Sequence, residues 1–480
     1  MVIFTFIDFI KGLKVACSKR SYAVLLFLFS SLFTSAQTYE DQYRQPLALV
    51  LKLIESRFHV KLQYSDALVK DRMVAYAGWR FRSDLKTTLD GILTVNDLVY
   101  YKLNDSVYNI EPYRYWQKPV EEGRQQLNTL LASYKTLTDW EKRRATLRKC
   151  LLATLRLETN PAKSVSPPIV THKRTFNGYT VKNVAIETLP GLFVCGSLYG
   201  PLNVKGKLPV VLSPNGHFAG GRYRSDQQYL CATLARMGAM VFSYDLLGWG
   251  ESRLQFKDED HYTSTAMIVQ VLNTFRIMDY VSSLKEVDTS RIAITGASGG
   301  GSQTMLITAL SDRIKVSAPV VMLSCYFSGG CPCETGLPIH FCGNGTNNAE
   351  IAAMAAPRPQ LVISDGEDWT DHVPQIEYPY LQKIYGYYNK TGQVKNLHLL
   401  KEGHDYGFSK RKAVYAFLAE HLQLHIKRIR NNRGEIDESA CTIEEEPNLY
   451  SFGKNGQRLP SNAIKGIDEL RRLIDSSRKQ

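Results

Sequence analysis

The chemistry of this chain centres on one serine. Ser298 lies in RIAITGASGGGSQTMLI, residues 291–307, among four glycines at the end of an apolar run. Three templates use glycines this way. A Walker-type phosphate loop needs Lys then Ser or Thr after its last glycine, but Gly301 is followed by Ser-Gln-Thr. A dinucleotide fingerprint needs glycine at its first, third and sixth positions. Gly296 has Ser298 at its third, and Gly299 has Thr304 at its sixth, so both phosphate-binding templates fail. Gly-x-Ser-x-Gly is met by Gly296, Ser298 and Gly300, after the strand-like RIAIT and before the helix-like SQTMLITALSD. That is the setting of a nucleophile elbow, in which small neighbours let the serine adopt a strained turn with its hydroxyl exposed at the sheet edge.

A serine hydroxyl is scarcely ionised at neutral pH, so it needs a base and an acid to orient that base. In the elbow architecture both follow the serine in the chain. His404, in LHLLKEGHDYGF, comes just after a predicted strand, as the base should. His398 lies inside that strand, and His372, His421 and His425 have no strand-end position. The acid belongs after the preceding strand, where PQLVISDGEDWTD offers Asp365, Glu367, Asp368 and Asp371. Asp368 is the choice, a few residues past the strand end, with Asp365 second. The oxyanion requires preorganised N–H donors. Gly299 supplies one at the start of its helix; His217 supplies the other from VVLSPNGHFAGG, where Gly216 permits a sharp turn. The His217 imidazole receives no acid–base role. Trp249 and Trp369 lie near the proposed pocket and are the candidate substrate-binding residues. This chemistry requires no metal and no organic cofactor.

These residues need a rigid frame to meet. From 171 to 428, LPVVLSP, AMVFSYD, RIAITG, KVSAPVVM, PQLVISD and NLHLLKE alternate with helical stretches. Strands apolar on both faces and separated by helices predict an α/β fold, a mostly parallel sheet covered on both sides. A small α+β module is expected at 37–112, with two rounds of helix–strand–strand and Ser83 or Asp84 capping the second helix. Residues 113–170 read as a helical connector closed by the prolines of NPAKSVSPP. Residues 429–480 read as a polar tail, with DESACTIEEEP mobile and AIKGIDELRRLIDSS a closing helix.

With these motifs in place, a family resemblance emerges. LPGLFVCGSLYGP, SPNGHF, DLLGWGES, GASGGGSQT, GGCPCE, NNAEIAAMAAPRPQLVISDGEDWT and GHDYGFSKRKAVYAFL together resemble the acetyl xylan esterase-like branch of the α/β-hydrolases, from about 119 to 424. The resemblance implies Ser298 as nucleophile, Asp368 of the DWT motif as acid and His404 as base. It also implies small acyl, chiefly acetyl, esters as substrates, on plant polysaccharide such as xylan. Relatives often carry asparagine where Asp405 stands, and a charge beside the base would shift the pH optimum. GGCPCE continues as TGLPIHFCGNG, adding Cys342 to an expected pocket rim. The 37–112 pattern resembles the secretin and TonB short N-terminal domain, which implies an envelope protein partner.

Composition bounds the alternatives. Of 480 residues, 59 are basic and 46 acidic, for a net charge of +13 spread along the chain. A diffuse excess of this kind argues against nucleic-acid binding. Lys19 and Arg20, an apolar run from Ala23 to Phe33, and Thr34-x-Ala36 before Gln37 read as a signal peptide over 1–36, followed by a periplasmic or secreted chain. The run is shorter than the roughly 20 residues of a membrane span, so no transmembrane span is expected in the mature form. A second apolar patch, MVIFTFIDFI, lies upstream, and Cys17 is a poor lipid-attachment site because Lys14 interrupts the residues before it. Eight cysteines remain after Ala36. Four fall within CYFSGGCPCETGLPIHFC, where one or two loop-bracing disulfides are expected. Zinc is disfavoured there, since Cys331-x-Cys333 lacks the usual two-residue gap. A prolyl-type peptidase shares the catalytic order, yet the front of the chain is too short for its propeller. A non-catalytic envelope protein acting through the front module is the other rival.

Overall fold

The computed structural model describes residues 44–112, 118–157, 166–204, 206–327, 331, 334 and 339–476. The expected signal peptide, Cys17 and Cys333 lie outside them. The chain divides into two compact units, Met1–Pro112 and Tyr113–Gln480.

In the smaller unit, strands β1 (Arg44–Pro46) and β3 (Met73–Ala75) pair antiparallel, while β2 (Lys61–Gln63), β5 (Val107–Pro112) and β4 (Leu98–Lys102) form a second sheet. Helix Leu47–Phe58 buries Leu47, Val50, Leu51 and Ile54, the i, i+3, i+4, i+7 stripe of an amphipathic helix. Helix Leu85–Leu93 meets it with Leu89, Ile92 and Leu93, over Leu62, Leu98 and Ile110 of the sheet. Asp84 is its cap, accepting from the Thr87 N–H at 2.7 Å.

The larger unit is built on a ten-stranded sheet. Its strands are β6 (Ile169–Val170), β7 (Arg174–Phe176), β8 (Tyr179–Leu189), β9 (Leu192–Pro201), β10 (Leu208–Pro214), β11 (Met240–Tyr244), β12 (Val287–Ala297), β13 (Ile314–Val320), β14 (Gln360–Asp365) and β15 (Val394–Leu399). The order is β15-β14-β13-β12-β10-β11-β9-β8-β6, with β7 also on β8. From β15 to β11 all neighbours are parallel; β9, β8, β6 and β7 add an antiparallel edge.

Successive residues of one strand enter opposite cores. Val210 and Leu212 pack with helices Ser264–Ser283 and Gly299–Leu310, whereas Val211 packs with Ser225–Arg236 and Phe408–Leu422. That two-sided cover explains why β10, β11 and β14 are buried throughout. This is the α/β-hydrolase fold expected from the sequence.

The stretch read as a helical connector holds two helices, Val120–Ser133 and Leu137–Thr154. The break comes at Thr136, whose hydroxyl accepts from the Asp139 N–H while Asp139 reaches back, a capping box. Trp140, Leu147 and Leu151 enter the main core, and Arg143 pairs with the fully buried Glu350 at 2.7 Å. The expectation of a mobile DESACTIEEEP segment is corrected. Glu438 is held by Arg411 at 2.8 Å and Glu444 by Arg174 at 3.1 Å, and Cys441 is buried. The closing helix forms over Ile467–Ser476. Among the described residues no helix is long and apolar enough to cross a membrane.

Cys342 does not pair within its own cysteine-rich stretch. Its disulfide partner is Cys150, 192 residues away, with Cα atoms 5.5 Å apart. A bridge closing so long a loop restricts the unfolded chain strongly, typically by about 2–4 kcal/mol. Cys150→Ser is therefore expected to lower unfolding stability by about that amount, read as a shift in the urea midpoint. An unchanged midpoint would remove the bridge from the account of stability.

Candidate active site

The parallel strands deliver their carboxyl ends to one edge, and every proposed site residue follows such an end. Ser298 comes directly after β12, His217 three residues after β10, Asp368 three after β14 and His404 five after β15. Strands β10 and β12 are neighbours, with β11 and β13 flanking them in opposite directions. The chain order therefore reverses between them, which makes this the switch point where open α/β sheets form their clefts. Asp365 is in register with Leu399, so the acid and base loops leave adjacent strands at one level.

Ser298 has φ 57° and ψ −126°. This is a sparsely populated conformation for a residue with a Cβ, tolerated where the surroundings over-determine it. The surroundings do so here. The Ser298 N–H donates to the Val320 carbonyl at 3.1 Å, and its own carbonyl accepts from the Gly301 and Ser302 N–H groups at 2.7 and 3.0 Å. The helix that follows is buried along its whole length. It packs this deeply because Gly300 has no side chain; a Cβ there would collide with the Pro214 carbonyl. A Cβ on Gly216 would lie 3.0 Å from that of Ser298 and 2.5 Å from the Ala297 oxygen, which explains the glycine in SPNGHF.

Of the four acidic candidates, Asp368 meets the candidate base: His404 Nδ1 lies 2.9 Å from Asp368 Oδ2. The other Asp368 oxygen accepts from the Thr370 N–H at 2.7 Å and from its hydroxyl. Asp365, the second choice, is fully buried and forms an ion pair at 2.9 Å with the equally buried Lys410. Burial drives its pKa up, against the pull of Lys410, to about 6. Asp371 accepts from the Tyr326 hydroxyl at 2.7 Å, and Glu367 is exposed.

The charge of Asp405 does not act on the base unopposed. Its carboxylate contacts Lys410 and accepts from the Gly407 N–H at 2.8 Å. Lys410 also donates to the Gly403 carbonyl at 2.8 Å, so one buried ammonium binds both ends of the loop turn that carries His404. Sequence reasoning passed over Lys410 because a lysine on a helix is almost always solvated.

Ser298 and His404 occupy the same edge but share no hydrogen bond among the described residues. Phe218 lies beside His404 and Gly216. Its ring lies 5.6 Å from that of His404, and its Cε2 would be 3.0 Å from a Cβ on Gly216, the residue against Ser298. Resting sites commonly leave nucleophile and base loosely aligned until substrate is bound.

Gly299 begins the helix, where the first N–H groups have no intrahelical acceptor. The His217 imidazole covers it; a Cβ on Gly299 would approach His217 Cε1 to 2.6 Å. Trp369 is half-buried, its ring 4.2 Å from His404 and 4.1 Å from Phe327, so it supports the His404 ring from one side. Trp249 packs against His217 and His261, with ring centroids 5.5 and 4.6 Å away. Burial opposes a charge on His217, but Glu334 and Cys331 outweigh it and raise its pKa to about 10. His217 Nδ1 is 3.0 Å from Glu334 Oε1. This grouping of His217, His261, Cys331 and Glu334 escaped the sequence reading, because its members come from three separate loops.

Known proteins bear on this arrangement. The acetyl xylan esterase (AXE1) family model matches residues 168–330. The solved structure of Methylesterase BT1017 is 44% identical, covering 93% of this chain and 100% of that one, with a TM-score of 0.71. An acetyl xylan esterase from Paenibacillus sp. R4 is 16% identical over 63% of this chain and 100% of its own, at a TM-score of 0.40. A glucuronoyl esterase from Solibacter usitatus is 14% identical over 60% and 94%, also at 0.40. On the family model and the full-length likeness to Methylesterase BT1017, the chain belongs to the acetyl xylan esterase-like α/β-hydrolases and is a carboxylic ester hydrolase.

Proposed function

We propose that the protein is an exported serine esterase that removes small ester groups from carbohydrate through Ser298, His404 and Asp368. The observation that carries this reading is the His404–Asp368 hydrogen bond at 2.9 Å beside a strained serine at the same sheet edge. Asp368 holds the proton on Nδ1, which leaves Nε2 of His404 as the base. His404 takes the Ser298 proton as its oxygen attacks the ester carbonyl. The oxyanion that forms is met by the N–H groups of Gly299 and His217, each worth about 3 kcal/mol in the transition state. The alcohol leaves with the proton from His404, and water then hydrolyses the acyl-enzyme by the same steps.

Two esters fit this chemistry and differ in which side carries the sugar. An acetylated sugar would leave acetate on Ser298. A methyl-esterified uronate would leave the sugar acid there and release methanol. The acetyl reading is favoured by the family model; the name of the 44% identical relative favours the methyl ester. Purified protein, with Ser298→Ala beside it, should be assayed on p-nitrophenyl acetate, acetylated xylan, a methyl-esterified polyuronate and prolyl peptides. Release of acetate or methanol by the wild type alone is expected, and whichever is faster identifies the ester. Equal release by both proteins would refute the serine mechanism, and cleavage of prolyl peptides alone would favour the peptidase.

Export accords with the Cys150–Cys342 disulfide, since such bridges persist in oxidising compartments. Mature protein should begin near Gln37, and a retained Met1 would contradict export.

A further inference from the structure

Next to the proposed oxyanion site, three segments distant in the chain converge on a small set of nitrogen and sulfur atoms. His217 comes from the loop after β10, His261 from the short helix Asp258–Tyr262, and Cys331 and Glu334 from the GGCPCE rim. The two Nε2 atoms are 2.8 Å apart. Cys331 Sγ is 3.4 Å from one and 3.3 Å from the other. His261 and Cys331 are buried.

The outer nitrogens decide what the inner ones can be. His261 Nδ1 lies 2.8 Å from the Leu247 carbonyl oxygen, which only accepts, so this nitrogen carries hydrogen. His217 Nδ1 faces the Glu334 carboxylate at 3.0 Å and must carry hydrogen too. In neutral rings both Nε2 atoms then present lone pairs, and the two nitrogens are at hydrogen-bond distance. Two lone pairs in a buried setting repel unless something positive stands between them. Either a proton or a metal ion can do that, and the sulfur in reach of both nitrogens favours the metal.

We propose that His217 Nε2, His261 Nε2 and Cys331 Sγ bind one zinc ion, with Glu334 and the Leu247 carbonyl fixing the rings from behind. Two imidazoles and a thiolate are a borderline-soft donor set that suits zinc. Imidazoles that ligate metal characteristically donate their other N–H to a carboxylate or a backbone carbonyl, and both do so here. With Zn–N near 2.05 Å and Zn–S near 2.3 Å, a tetrahedral ion sets edges of roughly 3.3 Å between nitrogens and about 3.6 Å from nitrogen to sulfur. The observed triangle is smaller, by about half an ångström between the nitrogens and about 0.2–0.3 Å from nitrogen to sulfur, so the ion requires the two rings to move apart. Among the described residues, three side chains supply the ligands. The ion ties Cys331 to the loop of His217 and so stiffens the wall beside Gly299.

The test uses the full chain and metal alone. Chelator-treated protein is titrated with zinc against a chromophoric chelator, and with cobalt for its visible and near-ultraviolet bands. Expected are one equivalent per chain and a thiolate-to-cobalt charge-transfer band. Cys331→Ser should remove that band and weaken zinc at least 100-fold, and Glu334→Gln should weaken it about 10- to 100-fold. Should either variant fail to fold, the wild-type cobalt spectrum decides alone. No uptake by wild-type protein, or a cobalt spectrum without sulfur character, would overturn the site and leave a shared proton between the rings. Zinc uptake unchanged in folded Cys331→Ser would overturn it equally. Neither readout depends on ester hydrolysis, so failure here leaves the serine mechanism standing.

Discussion

Asp368→Asn is expected to lower kcat on p-nitrophenyl acetate roughly 10⁴-fold while leaving the fold intact. An amide can still sit near His404, but it offers that ring an N–H as readily as an oxygen. The imidazole then turns its lone pair inward, and Nε2 carries the proton when it should be taking one. Asp365→Asn separates the two acids. Asp365 faces Lys410 at 2.9 Å, so its loss falls on stability, with kcat within about tenfold of wild type. A variant pair with these effects exchanged would make Asp365 the orienting acid and contradict the 2.9 Å contact between Asp368 and His404.

The second large effect concerns the frame. Arg222 is fully buried and donates to Asp245 at 2.8 Å, Glu251 at 2.9 Å, the Ser197 hydroxyl at 2.8 Å and the Leu449 carbonyl at 2.7 Å. Glu251 in turn accepts from the Ser451 and Phe452 N–H groups, both at 2.7 Å. One guanidinium thus joins the antiparallel edge, the end of β11 and the C-terminal segment. Arg222→Met would strand two buried carboxylates, a change that typically costs about 3–5 kcal/mol.

The loss should depend on pH. Burial raises the Asp245 pKa, against the pull of Arg222, to about 6. A carboxyl whose folded pKa exceeds its unfolded value favours the fold when protonated, and that contribution is lost as pH rises from near 4 through the folded value. Without Arg222 the folded pKa rises further. The gap in melting temperature between variant and wild type is therefore expected to narrow at pH 5 and widen at pH 8. A gap independent of pH would mean that packing, not charge, is what Arg222 contributes.

Local sequence carried much of this, and its failures share a cause. The elbow was legible because an apolar strand, Gly-x-Ser-x-Gly and a helix are contiguous, and strain at Ser298 is what that pattern encodes. Parallel strands likewise announce themselves by being apolar on both faces, as LPVVLSP is. The acid was legible only to within a loop. What separates Asp368 from Asp365 is Lys410, and nothing near DGEDWT says that a lysine some 40 residues on will be buried beneath it.

The C-terminal segment failed for the same reason. DESACTIEEEP has a solvated composition, but its Glu438 and Glu444 are met by Arg411 and Arg174, 27 and 270 residues away. Cys331 reads by its spacing to Cys333, whereas its sulfur also lies against His217 and His261, 114 and 70 residues distant. Cys342, expected to bridge locally, reaches Cys150. Spacing rules speak for ligands and partners on one stretch of chain. They are silent when the fold assembles them.

The most direct test of the serine mechanism is covalent. Wild-type protein treated with a fluorophosphonate and analysed by intact mass and peptide mapping should gain one phosphonyl group per chain, on Ser298. Labelling should slow at least 10³-fold in His404→Ala, because the bare hydroxyl is a poor nucleophile. An adduct on another residue, or none on an enzyme that hydrolyses esters at full rate, would contradict the assignment of Ser298.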